Sequence, residues 1–508
     1  MKKQTPFTGL LLFLYCIPVD TAKILAFINT PSISHQIAAR PLIHELVKRG
    51  HEVTLITTNP SYEKSKAPVN LTEIDVHDIS YQHFRDIRLN NKGKPSEGQV
   101  QMAKYLIRLG TTLDLQLQAP EVQDILNKPT DYFDVLLLQS SNRVLLGLTE
   151  KFKAPVILWS SLGTISSYYS LLGAPSHPLL FPTFTRQRLY NLTRWEKVVE
   201  IAKDILLDIF FKYLEEEDTR ILHKHFGKNA ELNKLHRKIK LFLINEHPIW
   251  AENRPVSPNI LFIGGIHKAL DEEMTKELKS YLDASENGVI YMSLGSNVLP
   301  SLLPKEKQEI ITRVFAKLPY DILLKWDNES IANQPKNVKV QKWFPQSTLL
   351  KHPNIKLFIT QGGLQSTDEA INAGVPLLAI PMLADQWYNA EKYVRHKIGL
   401  QLDIETFVMY CSYKENMLRL RSLMREHPIQ PVDLAVWWTE HIIKYGGDHL
   451  IPPSAYLHWT EYYEVELVLI CLGVALATFY ILTYISITSF KALMRLFKSI
   501  FVIKSKVQ

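Results

Sequence analysis

Apolar residues along this chain alternate between two spacings. Short, nearly unbroken runs at residues 23–28, 52–57, 133–139, 155–159 and 241–245 have the length and composition of strands buried on both faces. Between the first two, residues 35–49 place Ile37, Ala38, Leu42, Leu46 and Val47 at helical spacing, and Gly50 ends the pattern. A strand–helix–strand opening predicts a parallel, doubly wound α/β sheet, with ligands at the carboxyl ends of its strands. The alternation resumes where residues 260–265 open a second series, with strands predicted at 289–293, 322–326, 355–360 and 375–380, helices at 304–318 and 366–372, and residues 338–343 leading into the densest stretch. Between the two series Pro248, Pro255 and Pro258 break all periodicity, which reads as a linker over residues 246–260. Two domains are expected, residues 23–245 and 261–445, with further helices at 145–152 and 195–220. An irregular aromatic segment with Tyr168, Tyr169, Leu171, Phe181 and Phe184 reads equally as core or as the lining of an apolar pocket.

The densest chemistry lies in residues 343–386, WFPQSTLLKHPNIKLFITQGGLQSTDEAINAGVPLLAIPMLADQ. Gln361, Gly362 and Gly363 join a predicted strand to a predicted helix, so the backbone there turns sharply and exposes N–H groups. The helix beginning Ser366-Thr367-Asp368-Glu369 would draw an anion such as phosphate to its dipole. Ser-x-x-Glu is also a capping box, in which Ser366 and Glu369 only satisfy donors of the first turn. Taken alone, this short pattern leaves both readings open.

The full ordered set of Trp343, Pro345, Gln346, His352, Thr360, Gly363, Ser366, Glu369, Gly374, Pro376, Pro381, Asp385 and Gln386 resembles the signature of the UDP-glycosyltransferases. The membrane-bound animal branch, and its insect members most of all, is the nearest match. The resemblance covers about residues 23–490 and implies the GT-B arrangement: two Rossmann-like domains facing one another across a cleft. It implies that Trp343 stacks under the uracil and that Gln346 and Glu369 hydrogen-bond the uridine, Glu369 taking the ribose hydroxyls. It assigns the diphosphate to Ser366, to Gly362, Gly363 and the neighbouring N–H groups, and to Ser296 in the loop 294–296. Asp385 and Gln386 would grip sugar hydroxyls. Gln361 departs from the pattern, because many relatives carry a phosphate-contacting His there; Gln still donates an N–H, without positive charge.

His35 stands at the start of the first helix, where a lone His is ordinarily structural. The resemblance makes it the base that takes the acceptor hydroxyl's proton as the oxygen attacks the anomeric carbon and UDP leaves with inversion. Imidazole suits this near neutral pH. The carboxylate that normally pairs with that His is replaced, by spacing, by Gln139. An amide orients an imidazole but cannot offset its charge, and the analogous Asp to Asn change in serine proteases costs about 10⁴ in rate. Asp134 is five strand residues away, roughly 16 Å at the wrong strand end. Residues 402–417 also lack a helix's worth of the family's sequence between Thr406 and Tyr413, with Val408-Met409-Tyr410-Cys411 at the join. A relative that binds UDP-sugar or lipophiles without efficient turnover is therefore the competing expectation.

The net charge of +7 misleads, because residues 491–508 carry five basic residues and no acid. The body is left near neutral, with no basic excess for nucleic acid. Residues 1–22 have the shape of a signal peptide, and residues 467–490 are 24 uncharged positions, long enough to span a bilayer. The basic tail after them predicts one anchor with the body in the lumen and residues 491–508 in the cytosol. Residues 446–466 form the juxtamembrane return. The terminal Lys504-Ser505-Lys506-Val507-Gln508 resembles a Lys-x-Lys-x-x retrieval signal of endoplasmic reticulum membrane proteins. Sequons at Asn70, Asn191 and Asn328 are compatible with a luminal body. Cys16 lies in the leader and Cys471 in the apolar segment, so Cys411 alone belongs to the body, which excludes an internal disulfide or a Cys-based metal site. The expected activity is transfer of a hexose, glucose by resemblance, from a UDP-sugar to a small lipophilic acceptor such as a phenol. No cofactor or metal is expected; whether the chain forms a homo-oligomer is left open. A processive polysaccharide synthase is disfavoured by the single anchor.

Overall fold

The computed structural model describes residues 21–63, 65–89, 95–269, 272–402 and 413–504. Residues 1–20 of the expected leader and the join at 408–411 lie outside them.

The unbroken apolar runs become buried strands. Lys23–Ile28 (β1), Glu52–Thr57 (β2), Leu71–Asp75 (β3), Val135–Gln139 (β4), Val156–Ser160 (β5), Ile239–Ile244 (β6) and Ile260–Phe262 (β7) pair in the order β3-β2-β1-β4-β5-β6-β7, every pair parallel. A second parallel sheet contains Val289–Ser293 (β8), Asp321–Lys325 (β9), Val338–Gln341 (β10), Ile355–Thr360 (β11), Leu377–Ala379 (β12) and Gly399–Gln401 (β13), in the order β10-β9-β8-β11-β12-β13. Both orders reverse direction once, between β1 and β4 and between β8 and β11. Crossovers leave such a sheet to opposite faces at the reversal, which opens a crevice at the carboxyl ends of those strands. Two Rossmann-like sheets, each with its own switch point, are the GT-B architecture expected from the sequence.

The helix Ile33–Lys48 packs Ala38, Leu42, Ile43 and Leu46 into one core with Ile24, Ala26, Val53 and Leu55 of the first sheet. Burying each of the larger side chains is worth about 1.5–3 kcal/mol relative to exposure. Gly50, at φ +98°, turns the chain directly into β2.

Several elements depart from the sequence reading. Ile260–Phe262, expected to open the second domain, is the last strand of the first sheet. The strand β3 and the helices His77–Leu89 and Pro95–Leu117 were not predicted. In the sequence their apolar residues are interspersed with many polar ones, which dilutes the spacing. The proline-rich linker does more than connect: Trp250 is fully buried in the core of the second sheet, where its indole N–H donates to Asn389 Oδ1 at 2.8 Å. In the opposite sense the helix Pro431–Tyr445 returns to the first sheet and buries Ala435, Val436 and Ile442 there. Arg49 secures it through Asp433 and Glu440, both at 3.3 Å. Of the three sequons, Asn70 is tied down, its amide nitrogen donating to the carbonyls of Val47 and His51 at 2.7 and 2.8 Å.

Residues 453–508 form a separate compact unit. Within it the helix Val465–Lys504 contains one stretch, Val465–Leu496, long and apolar enough to cross a membrane.

Candidate active site

The first switch point assembles its polar groups from three neighbouring strands. The chain leaves β1 through Asn29, Thr30 and Ser32 and enters the helix Ile33–Lys48, which puts His35 in its first turn. Gln139 is the last residue of β4, and Ser161 follows the last residue of β5. Because β4 lies between β1 and β5, the three side chains converge. Gln139 Nε2 lies 3.0 Å from His35 Nδ1 and Ser161 Oγ lies 2.5 Å from the same nitrogen.

The orientation of the Gln139 amide follows from its other partner. The Thr30 backbone N–H donates to Gln139 Oε1 at 3.0 Å, and a backbone N–H can only donate. The amide NH₂ therefore faces His35 Nδ1, which has to accept. Burial holds the imidazole pKa down to about 4, so the ring is neutral at ordinary pH, with its proton on Nε2 in this arrangement. Gln139 does orient His35, as expected, but it selects the tautomer opposite to the one a carboxylate would select. Ser161 was missed by sequence reasoning; the available signal was a Ser just beyond the strand that neighbours β4.

The second switch point supplies the facing wall. Gly295, at φ +76°, turns the loop after β8 so tightly that a Cβ there would stand 2.1 Å from Gln361 Nε2, and Gly362 is at φ +92°. Gln361 is buried, and its Oε1 has no hydrogen-bond partner among the described residues. The helix after β11 is Leu364–Ala373 with Gly363 as N-cap, two residues earlier than predicted. Ser366 is thus inside the first turn, and the capping box is not formed. Instead Gln346 Nε2 donates to Ser366 Oγ at 2.9 Å and to Glu369 Oε2 at 2.7 Å, while Tyr291 Oη donates to Gln346 Oε1 at 3.1 Å.

Trp343 is 47% exposed and lines the same cavity, its indole N–H donating to Glu272 Oε2 at 3.0 Å. Lys325 Nζ lies 4.2 Å from the centre of its ring and donates to the Gly295 carbonyl at 3.1 Å. Desolvation lowers Lys325 to about 8, against the pull of Glu272 and Glu369. This lysine, also missed in the sequence, is a cation beside a wall that Gln361 leaves without charge. Asp385 and Gln386 both line the cavity but are partly committed. Asp385 Oδ2 accepts from the Leu364 backbone N–H at 3.1 Å and from Asn389 at 2.7 Å, and burial raises its pKa to about 6. Gln386 Oε1 accepts from the backbone of Met382 and Leu383, both at 2.7 Å.

The two walls touch. Ser32 Oγ donates to Asn297 Oδ1 at 3.0 Å, and Gln365 Nε2 donates to the Ser161 carbonyl at 3.3 Å. Between them runs one cavity of about 800 Å³ that also takes in Ser296, Gln361, Gly363, Ser366 and Glu369. It continues into the first half between Phe84, Leu109, Leu171, Phe184 and Phe211. The aromatic segment is divided accordingly, with Tyr169 packed in the interior and Leu171 and Phe184 lining the cavity.

Residues 22–500 match the family described as UDP-glucoronosyl and UDP-glucosyl transferase. The chain is 32% identical over 480 residues to an ecdysteroid UDP-glucosyltransferase of Spodoptera littoralis nuclear polyhedrosis virus, covering 88% of this chain and 93% of that protein. It is 30% identical over 501 residues to UDP-glucosyltransferase 2 of Dactylopius coccus, covering 94% and 96%. Among solved structures it resembles the glycotransferase of kitacinnamycin, with TM-score 0.55 and 19% identity over 82% of this chain and 98% of that one. It also resembles Arabidopsis thaliana UGT89C1 complexed with UDP-L-rhamnose, with TM-score 0.53 and 15% identity over 84% and 99%.

Proposed function

The chain belongs to the UDP-glucoronosyl and UDP-glucosyl transferase family, a sugar-transferring family that acts from UDP-sugars, and from that premise we propose inverting transfer of glucose to a hydroxyl of a small lipophilic acceptor. The observation that carries the reading is the single cavity with His35 on one wall and Trp343, Gln346, Ser366 and Glu369 on the other. The indole offers a flat face for uracil, and Glu369 offers a carboxylate to two vicinal ribose hydroxyls. Diphosphate meets the first turn of the helix Leu364–Ala373, where Ser366 stands, with Ser296, the amide of Gln361 and the Lys325 ammonium close by. Asp385 Oδ1 and the Gln386 amide nitrogen are the atoms offered to sugar hydroxyls.

The acceptor hydroxyl attacks the anomeric carbon, the bond to UDP breaks, and His35 Nε2 takes the hydroxyl proton. For that, the ring proton must first sit on Nδ1. Ser161 Oγ is the neighbour able to accept it, with the Gln139 NH₂ turned aside. Ser161→Ala is accordingly expected to lower kcat by tenfold to a hundredfold with little change in KM for either substrate, and Ser161→Thr to retain most of the rate. Steady-state kinetics on both variants check this; a drop shared equally by kcat and KM would reject the positioning role.

The test of the function is an assay of the full-length protein in detergent with several UDP-sugars and a panel of phenols. Consumption of UDP-glucose with formation of a β-glucoside is the expected result; an α-glucoside would overturn inversion. The second reading, a binder without turnover, is favoured by the tautomer that Gln139 imposes. It predicts UDP affinity without product.

We further propose that the apolar stretch Val465–Leu496 anchors the protein in the endoplasmic reticulum membrane with a luminal body. Lys504→Ser combined with Lys506→Ser is expected to release the protein toward the cell surface, scored by surface labelling of intact cells; continued retention would remove the retrieval signal from the account.

A further inference from the structure

A helix on a protein surface ordinarily turns its apolar side chains in and its charged ones out. Much of the helix Arg194–Phe226 does the reverse. On its inner side Leu207, Phe211 and Leu214 line the cavity, and two acids are held there by bases of the body. Glu200, 8% exposed, lies 3.3 Å from the guanidinium of buried Arg186, and Asp218 Oδ2 accepts from Arg143 Nη2 at 2.8 Å. The opposite side carries Trp195, Val198, Ile205, Leu206, Ile209 and Tyr213, all exposed, from 54% at Val198 to 73% at Trp195. At about 100° per residue these six share roughly 100° of the helix circumference, and no charged residue between 195 and 213 falls in that arc. At a rise of 1.5 Å per residue the stripe is about 27 Å long. Single exposed apolar residues are ordinary, but a continuous stripe of this length marks an interaction surface.

The border of the stripe indicates what covers it. Arg194, Lys197 and Lys212 are exposed along one edge, with Asp208 the one acid among them. A basic edge beside an apolar face is complementary to phosphate head groups above acyl chains. A second copy laid antiparallel on the stripe about a two-fold axis would set this edge against itself, base facing base. The rings of Trp195 and Tyr213 stand at the two ends of the stripe, and such amphipathic rings favour the level of the head groups. A bilayer is also the surface at hand, because Val465–Leu496 is long and apolar enough to cross one.

We propose that the outer side of the helix Arg194–Phe226 lies in the interface of a lipid bilayer, its six apolar side chains among the upper acyl chains and Arg194, Lys197 and Lys212 against phosphate groups. One helix then divides lipid from cavity, since Leu206 is exposed and Leu207, the next residue, lines the cavity. This contact is independent of sugar transfer, and its test needs no substrate.

Full-length protein is reconstituted into vesicles of phosphatidylcholine with a minor share of phosphatidylserine, either plain or brominated near the top of the acyl chains. The tryptophan emission that Trp195→Phe removes is the signal of Trp195. That signal is expected to be quenched in the brominated vesicles, and the quenching to be lost in Ile205→Asp combined with Ile209→Asp. Both positions are exposed, so the double variant should keep the parent's circular dichroism and thermal midpoint. A Trp195 signal of equal strength in plain and brominated vesicles overturns the proposal, and this comparison needs no aspartate variant. Quenching that persists undiminished in a folded double aspartate variant overturns it as well. An unquenched signal accompanied by cross-links from Lys197 or Lys212 to a second copy would assign the stripe to a dimer instead.

Discussion

Gln139→Asp is expected to raise kcat by ten- to about 10⁴-fold, the upper value being the cost of the reverse exchange in a serine protease. The reason is the tautomer. In the present arrangement Gln139 offers Nδ1 of His35 a donor, because its oxygen already accepts from Thr30. An aspartate in the same place accepts from the Thr30 N–H with one oxygen and from His35 Nδ1–H with the other. Nε2 then becomes the acceptor that a base requires, and the imidazolium formed on proton transfer is stabilised. The pH profile should move with the rate. Burial now holds His35 down at about 4, so the neutral form persists above roughly pH 5 and the acid limb of kcat/KM falls near pH 4. A neighbouring carboxylate favours the charged form and raises the pKa, so the limb moves toward 6.5. A variant no faster than the parent, with its acid limb unmoved, would show that His35 is not limited by its partner.

Replacing Trp343 and Glu369 together by alanine is expected to weaken UDP binding about a thousandfold, measured by calorimetry. Stacking of a base on an aromatic ring is worth about 1–3 kcal/mol, and hydrogen bonds to a charged group about 1.5–3 kcal/mol. Lys325 covers one face of Trp343 and Glu272 holds its indole N–H, so the ring is braced with its other face available to a base. The fold should survive, since Trp343 is 47% exposed and the core of the second sheet is built from other residues. Undiminished affinity in the double variant would remove the nucleotide from this wall.

That Trp343, Gln346, Ser366 and Glu369 gather on one wall of the cavity was legible beforehand because these residues are close in sequence. One β–loop–α–β unit brings Gln361, Ser366 and Glu369 together through local geometry, and the short helix Gln346–Leu350 just before it adds Gln346. Local periodicity is weaker where polar residues dilute it, and β3 and the helices Pro95–Leu117 and Gln386–Arg395 had no predicted counterpart. The capping box illustrates a second limit. Ser-x-x-Glu has the right spacing, yet starting the helix at Leu364 rather than Ser366 moves Ser366 inside the turn and frees Glu369 for Gln346. Periodicity alone fixes no helix start to within two residues.

The sequence by itself determined the two parallel α/β halves and the apolar C-terminal helix, and its ordered motifs carried the resemblance to the family. The first two follow from spacing along the chain, and each is set by neighbours a few residues away. What only the tertiary structure decided is who meets whom across the sheets and the cleft: Ser161 with His35, Lys325 with Trp343, and Asn297 with Ser32. Such meetings depend on strand order and on two crossing segments, the linker around Trp250 and the helix Pro431–Tyr445. A proton's position on an imidazole is settled by atoms more than a hundred residues away in the chain, and no local pattern of hydrophobic and polar residues encodes it.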